Sequence, residues 1–145
     1  FRTGAIPIVI AITDAEWHDA PGSGGLNPYG PALAGVPGRA QAIARLNAIN
    51  ARVISVVSLT GEGDVRTQGR LLAEATGATV LPAAWGDVRP FGCAVNQCCT
   101  GLSGSGEAPS SPGGTCPLVY TINTSGAGLS ASVADGVQIL LRAAQ

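Results

Sequence analysis

The chain has 145 residues, enough for one domain and too few for two ordinary ones. A hydrophobic content of 46% excludes intrinsic disorder, and a net charge of −1 leaves no electrostatic footprint for nucleic acid or an anionic membrane. All eight basic residues are arginine and His18 is the only histidine, which excludes P-loop and Schiff-base lysines and a three-histidine zinc site. Methionine is absent, so Phe1 is not a translation start and the chain is expected to be a processed product or a fragment.

The first element is the continuous apolar run Ile6 to Ile12, bounded by Gly4 and Thr13-Asp14. It is far shorter than the ~18 residues of a transmembrane helix, and it reads as a strand buried on both faces. Residues 19–37 form a loop rich in Gly and Pro. From Arg39 to Asn50, the apolar positions Ala40, Ile43, Leu46 and Ile49 predict a helix. Arg52 to Leu59 is a second buried strand, rich in β-branched residues. Gly61-Glu62-Gly63 turns the chain, and Asp64 caps a helix that runs to Thr76 and stops at Gly77. Thr79 to Leu81 is a short strand. Leu118 to Ile122 alternates as a third major strand, and a last helix, capped by Ser130, carries the stripe Val133, Val137, Leu140, Leu141 and Ala144.

Strands alternating with helices predict an α/β fold on a parallel sheet, with three strands and three helices. Parallel sheets need both faces covered and both edges protected. Since nothing earlier in the chain can flank the Ile6 strand, half a sheet is missing from this expectation.

Residues 85–117 have no periodicity and hold all four cysteines, Cys93, Cys98, Cys99 and Cys116. The segment reads as a loop insertion stapled by disulfides, which places the chain in an oxidising compartment. The spacing C-x4-C-C-x16-C lacks the paired cysteines of zinc ribbons. Adjacent Cys98 and Cys99 are too close to pair with each other. Two pairings remain: Cys93–Cys98 with Cys99–Cys116, or Cys93–Cys99 with Cys98–Cys116.

Chemistry is expected where strands end, since ligands of open α/β sheets gather at the carboxyl ends of strands. Asp14 stands there, and His18 and Asp19 follow in the run D-A-E-W-H-D. A divalent metal, Mg²⁺ or Ca²⁺, would take Asp14 as its hard oxygen ligand, with His18 or Asp19 behind it. The blander alternative makes Asp14 a turn residue and packs His18 beside Trp17 on the surface. Thr13, Asp14, Trp17 and His18 form the expected ligand-binding set. Trp17 and Trp85 read as packing anchors, or as a pair gripping a partner. No nucleophile elbow, zincin, Walker or dinucleotide motif occurs, so no catalytic residue is assigned.

Ile8-Val-Ile-Ala-Ile-Thr-Asp14-Ala resembles the apolar strand and T-D-G/A turn of von Willebrand factor A domains. The helix and strand that follow, and Leu71-Leu-Ala-Glu-Ala-Thr-Gly77, are similar to later parts of the same domains. The resemblance covers residues 5 to 81, with a looser match from Leu118 to Leu141. It implies a Rossmann-like, doubly wound sheet in the order 3-2-1-4-5-6, of which this chain would supply strands 4, 5 and 6. It further implies an adhesion module, secreted or at the cell surface, that binds a protein or surface ligand through a metal-ion-dependent adhesion site. Only Asp14 of that site maps here: there is no Asp-x-Ser, and Ala15 replaces the usual glycine. The lysine-free usage suggests a bacterial source of the secreted type.

Two other readings are carried forward. One is a structural protein that self-assembles into a homo-oligomer, or takes up a missing N-terminal half, along the open sheet edge. The other is a small metal-assisted hydrolase built on Asp14, His18 and Asp19. Neither nucleic acid nor membrane is an expected partner.

Overall fold

The computed structural model describes residues 2, 4–23, 25–33, 35–60 and 64–144. The expected turn at Gly61-Glu62-Gly63 lies outside the described residues. Strand β1 (Ile8–Thr13) leads through a long loop to helix α1 (Arg39–Ala48), then to β2 (Arg52–Ser58) and helix α2 (Val65–Ala75). The short β3 (Thr79–Val80) precedes the cysteine-rich segment. Strands β4 (Cys116–Pro117) and β5 (Val119–Ile122) and helix α3 (Leu129–Ala143) complete the chain. The protein is a mixed α/β domain whose main sheet is three parallel strands in the spatial order β1-β2-β5. Strands β3 and β4 form a separate antiparallel pair.

Strand β2 is the centre. Val53 to Val57 are all buried, the pattern of a parallel strand covered on both faces. Neighbouring side chains on a strand point to opposite faces. Ile54 and Val56 join Tyr120, Ile122, Ile139 and Leu140 in the larger core, beneath α3. On the other face, Val57 and Val119 pack with Val65 and Ala73 of α2.

Helices α2 and α3 each approach the sheet through a glycine. A Cβ on Gly69 of α2 would lie 3.0 Å from Ser55 Cβ, and one on Gly136 of α3 would lie 3.0 Å from both Ile54 and Tyr120. Glycine is used here for the absence of a side chain, since it leaves backbone and sheet in direct contact.

Burial falls away toward β1. That strand was expected to be buried on both faces, but it is an edge strand: Val9 is 40% and Ile12 55% exposed. The run has the composition of a central strand because composition reports apolarity, whereas burial depends on what the rest of the chain places alongside. Helix α1, which follows it, buries no residue. The stripe Ile43, Leu46 and Ile49 is amphipathic in sequence, but only Ile43 and Leu46 are even partly covered.

The opposite edge is closed. Thr121 N–H donates to Thr100 O (2.9 Å) and Leu118 N–H to Ala78 O (3.0 Å), so the cysteine-rich segment and the end of β3 flank β5. The disulfides are Cys93–Cys99 and Cys98–Cys116, the second of the two pairings left open by spacing. Cys98, Cys99, Cys116 and Trp85 all belong to the main core. The segment from residue 85 to 117 thus anchors Trp85 and three of its cysteines in the interior, while Val88, Phe91 and Val95 on it stay exposed. Its lack of periodicity reflects covalent rather than helical or sheet organisation. Among the described residues no helix is long and apolar enough to cross a membrane. The two disulfides fit an oxidising compartment.

The two helix–sheet contacts predict opposite outcomes for two core substitutions. Gly136→Leu forces side-chain atoms into Ile54 and Tyr120 and lowers stability by about 1–3 kcal/mol. Ser55 Oγ is buried without a hydrogen-bond partner, so Ser55→Ala raises stability by about 1 kcal/mol. Urea denaturation of the two variants measures both.

Candidate functional site

At the carboxyl ends of β1, β2 and β5 the chain leaves a cleft of about 680 Å³. Thr13 and Asp14 line it from the end of β1, Ser58 and Thr60 from β2, and Asn123 and Thr124 from β5. This is the place where parallel α/β sheets collect their ligands. The wall mixes hydroxyl and amide groups with the apolar side chains of Ile12, Ala15 and Ile122, and Asp14 is its one formal charge.

The loop that presents Asp14 is held from both sides. Thr13 Oγ1 donates to Ala15 O (2.7 Å) and accepts from Ala15 N–H (3.1 Å), so Thr13 rather than Asp14 makes the turn. Asp14 is left exposed at the rim with its carboxylate available. Two residues on, Glu16 Oε1 accepts from the Asp64 N–H and caps the start of α2, where Asp64 itself makes no side-chain cap bond. Gln68, buried in α2, then clamps Trp17: its Oε1 accepts from Trp17 N–H (2.7 Å) and its Nε2 donates to Trp17 O (2.8 Å). Sequence reasoning missed Gln68. The signal was a polar residue between Val65 and Leu72, on the stripe that faces the sheet. Across the cleft, Asn123 Oδ1 accepts from Ser125 N–H (3.1 Å) and closes the turn after β5.

His18 and Asp19 do not join Asp14. They line a separate cavity of about 180 Å³ between the long loop, α1 and α2. His18 stacks on Tyr29, with ring centroids 4.4 Å apart, rather than on Trp17. Asp19 is 5% exposed, and its Oδ1 accepts from Ala20 N–H (2.8 Å) and from Arg39 N–H (2.7 Å), the first residue of α1. The loop wraps so closely that a Cβ on Gly25 or Gly38 would meet the carboxylate at 1.7 or 2.6 Å. The hydrogen bond from Arg39 leads the effects that hold Asp19 below the ordinary carboxylate range, and burial opposes it. Its negative charge also faces the positive end of α1. Asp19 thus organises the loop and starts the helix.

Trp85 does not grip a partner, because it is fully buried. Of the expected ligand-binding residues only Thr13 and Asp14 lie in the cleft, with Trp17 and His18 beside the smaller cavity. Among the described residues no group of three or more His, Cys, Asp or Glu comes together that could hold a metal ion. One carboxylate flanked by neutral oxygens fits a hydrated hard cation held largely by its own waters.

Asp19 makes stability depend on pH in a definite direction. Its folded value lies below the 3.8 of an ordinary aspartate, so its contribution is complete above that pH and is lost as pH falls through the lower, folded value. Asp19→Ala should lose about 1 kcal/mol at pH 7, the ordinary worth of a helix cap. The gap between wild type and variant should close below pH 3.8 in denaturant titrations across the acid range.

The site's geometry stands without a relative: compared with protein-family models, curated proteins and solved structures, the chain matches none.

Proposed function

We propose that this chain is a non-enzymatic binding module, secreted or at the cell surface, related in design to von Willebrand factor A domains. It would supply strands 4, 5 and 6 of a doubly wound, Rossmann-like sheet. The observation that carries the reading is the cleft over the ends of the three parallel strands, lined by hydroxyl and amide side chains beside Ile12 and Ile122, with Asp14 exposed at its rim. The sequential order β1-β2-β5 is the order that strands 4, 5 and 6 of such a sheet would take. Hydroxyls and an amide without a paired nucleophile and base suit recognition of a protein or surface ligand better than bond cleavage.

Asp14 would hold Mg²⁺ or Ca²⁺ as the single charged ligand, with Ser58, Thr60 and Asn123 as the neutral oxygens nearest in the cleft. The cation would present an open coordination position to an acidic group of the partner. One carboxylate gives weak affinity. Titration calorimetry with MgCl₂ and CaCl₂ should therefore give a Kd in the range of about 1–10 mM, lost in Asp14→Ala while the melting temperature stays unchanged. Identical heats in both proteins remove the metal from the proposal.

A second reading rests on the open edge of β1. No strand among the described residues pairs with its outer side, and Ile6, Val9 and Ile12 are 41%, 40% and 55% exposed. An unprotected apolar edge recruits a strand. Here it would take a second copy or an N-terminal half carrying further strands. Light scattering should detect dimers or larger species at about 1 mM protein, well above typical weak-dimer constants. A strictly monomeric solution at that concentration defeats self-assembly.

A further inference from the structure

Helix α3, the end of β5 and the segment around Val88 and Pro90 enclose a second cavity, about 500 Å³, that shares no lining residue with the Asp14 cleft. Its size falls within the range of small-molecule sites. Pro90, Cys99, the Tyr120 ring, Ala131 and Ala134 supply apolar wall, Ser103, Thr121, Ser132 and Gln138 add neutral polar groups, and Asp135 supplies the one formally charged group.

Asp135 is held in place by two neutral donors. Tyr120 Oη–H (2.7 Å) and Trp85 Nε1–H (3.1 Å) both donate to Oδ2. Trp85 is fully buried and Tyr120 nearly so, so the carboxylate is oriented from beneath by rigid aromatic side chains. Burial first, and then the charge of Asp135, push the Tyr120 hydroxyl well above its usual range, which keeps it a donor. Among the described residues no donor reaches Oδ1, which is also not one of the buried unpartnered atoms. That oxygen therefore keeps access to the cavity.

Among the described residues no cation pairs with this charge. The chain has no lysine, and the nearest arginine in sequence to the cavity wall, Arg89, donates to the carbonyls of Gly86 (2.7 Å), Pro82 (3.2 Å) and Val95 (3.2 Å). A preoriented carboxylate, apolar walls and the absence of a competing cation define one complementary ligand chemistry.

We propose that this cavity binds a small organic ammonium with an apolar body, its N–H donating to Asp135 Oδ1 and its alkyl or aryl part lying against Tyr120 and α3. The ammonium gains a charge-assisted hydrogen bond with an acceptor that folding has already positioned. The body leaves water for a surface of methyl, ring and disulfide groups. An anion would meet Asp135 with like charge.

The test uses hexylammonium chloride, 1-hexanol and sodium hexanoate as probes on the ¹⁵N-labelled protein at pH 7, read at the backbone amides of Ala131, Ala134 and Gln138. Hexylammonium should give saturable shifts with a Kd of a few millimolar, and the alcohol and carboxylate should bind at least about tenfold more weakly. Asp135→Asn, which keeps the side-chain shape and an acceptor oxygen, should weaken hexylammonium about tenfold and leave hexanol unchanged. Ala134→Leu should fill the cavity and abolish binding of both, and it decides the matter should Asp135→Asn fail to fold. Equal affinity for hexylammonium and hexanol overturns the proposal. So does the absence of any saturable shift up to about 50 mM hexylammonium, or unaltered binding in Ala134→Leu. Asp14→Ala should be indifferent to this probe, which separates the outcome from that of the cleft.

Discussion

Everything in this domain hangs on the double-sided burial of β2. A parallel strand exposes no polar face, so helices must cover both of its sides at once. Gly69 and Gly136 let α2 and α3 do this at backbone contact distance, one on each face. The close approach has consequences well beyond packing. It brings Gln68 of α2 within reach of the Trp17 backbone, and it brings Asp135 of α3 over Tyr120. Both candidate sites therefore inherit their geometry from the same pair of contacts.

The two sheet edges are managed differently. Along β5, the cysteine-rich segment lends backbone acceptors and a covalently closed core. The Cys98–Cys116 loop, with a sequence separation of 18, is worth about 3 kcal/mol in the chain-entropy account. Along β1 nothing equivalent exists among the described residues, and neither β1 nor α1 completes a hydrophobic layer. Disulfides here do the work that a further helix and strand would do in a larger domain. Stability is concentrated in the half containing β2, β5 and α3, and the half with β1 and α1 has the least buried surface to resist local opening.

Much of the architecture was legible because short-range rules and burial agreed. The β-branched run Arg52 to Leu59 became β2, and Gly77, at φ 68°, sits just past the end of α2 as a helix-stopping glycine should. Legibility failed where a long-range partner decides. The apolar run at Ile6 could not reveal whether neighbours would arrive on both sides. The D-A-E-W-H-D run looked like one cluster, but the chain turns within it. Asp14 goes to the sheet end, Glu16 to the start of α2 and Asp19 to the start of α1. Each acid answers a different backbone or opening, and sequence adjacency says nothing about that division. Asp135 escaped notice because a single acid on an amphipathic helix reads as solvent-facing until Tyr120 and Trp85 are seen beneath it.

Asp14 and Asp135 illustrate how surroundings would choose a ligand when the ligating group is the same. At Asp14 the neighbours include the hydroxyls of Ser58, Thr60 and Thr124 and the amide of Asn123, which would replace parts of a metal ion's hydration shell, beside the apolar Ile12 and Ile122. At Asp135 the wall includes Pro90, the Tyr120 ring, Ala131 and Ala134, which reward loss of apolar surface from water, beside the neutral polar side chains of Ser103, Ser132 and Gln138. As proposed, one carboxylate would take a hydrated inorganic ion and the other an organic one. The difference follows from the walls each inherits: the ends of parallel strands are rich in turn-forming hydroxyls, whereas the flank of α3 is the margin of a hydrophobic core.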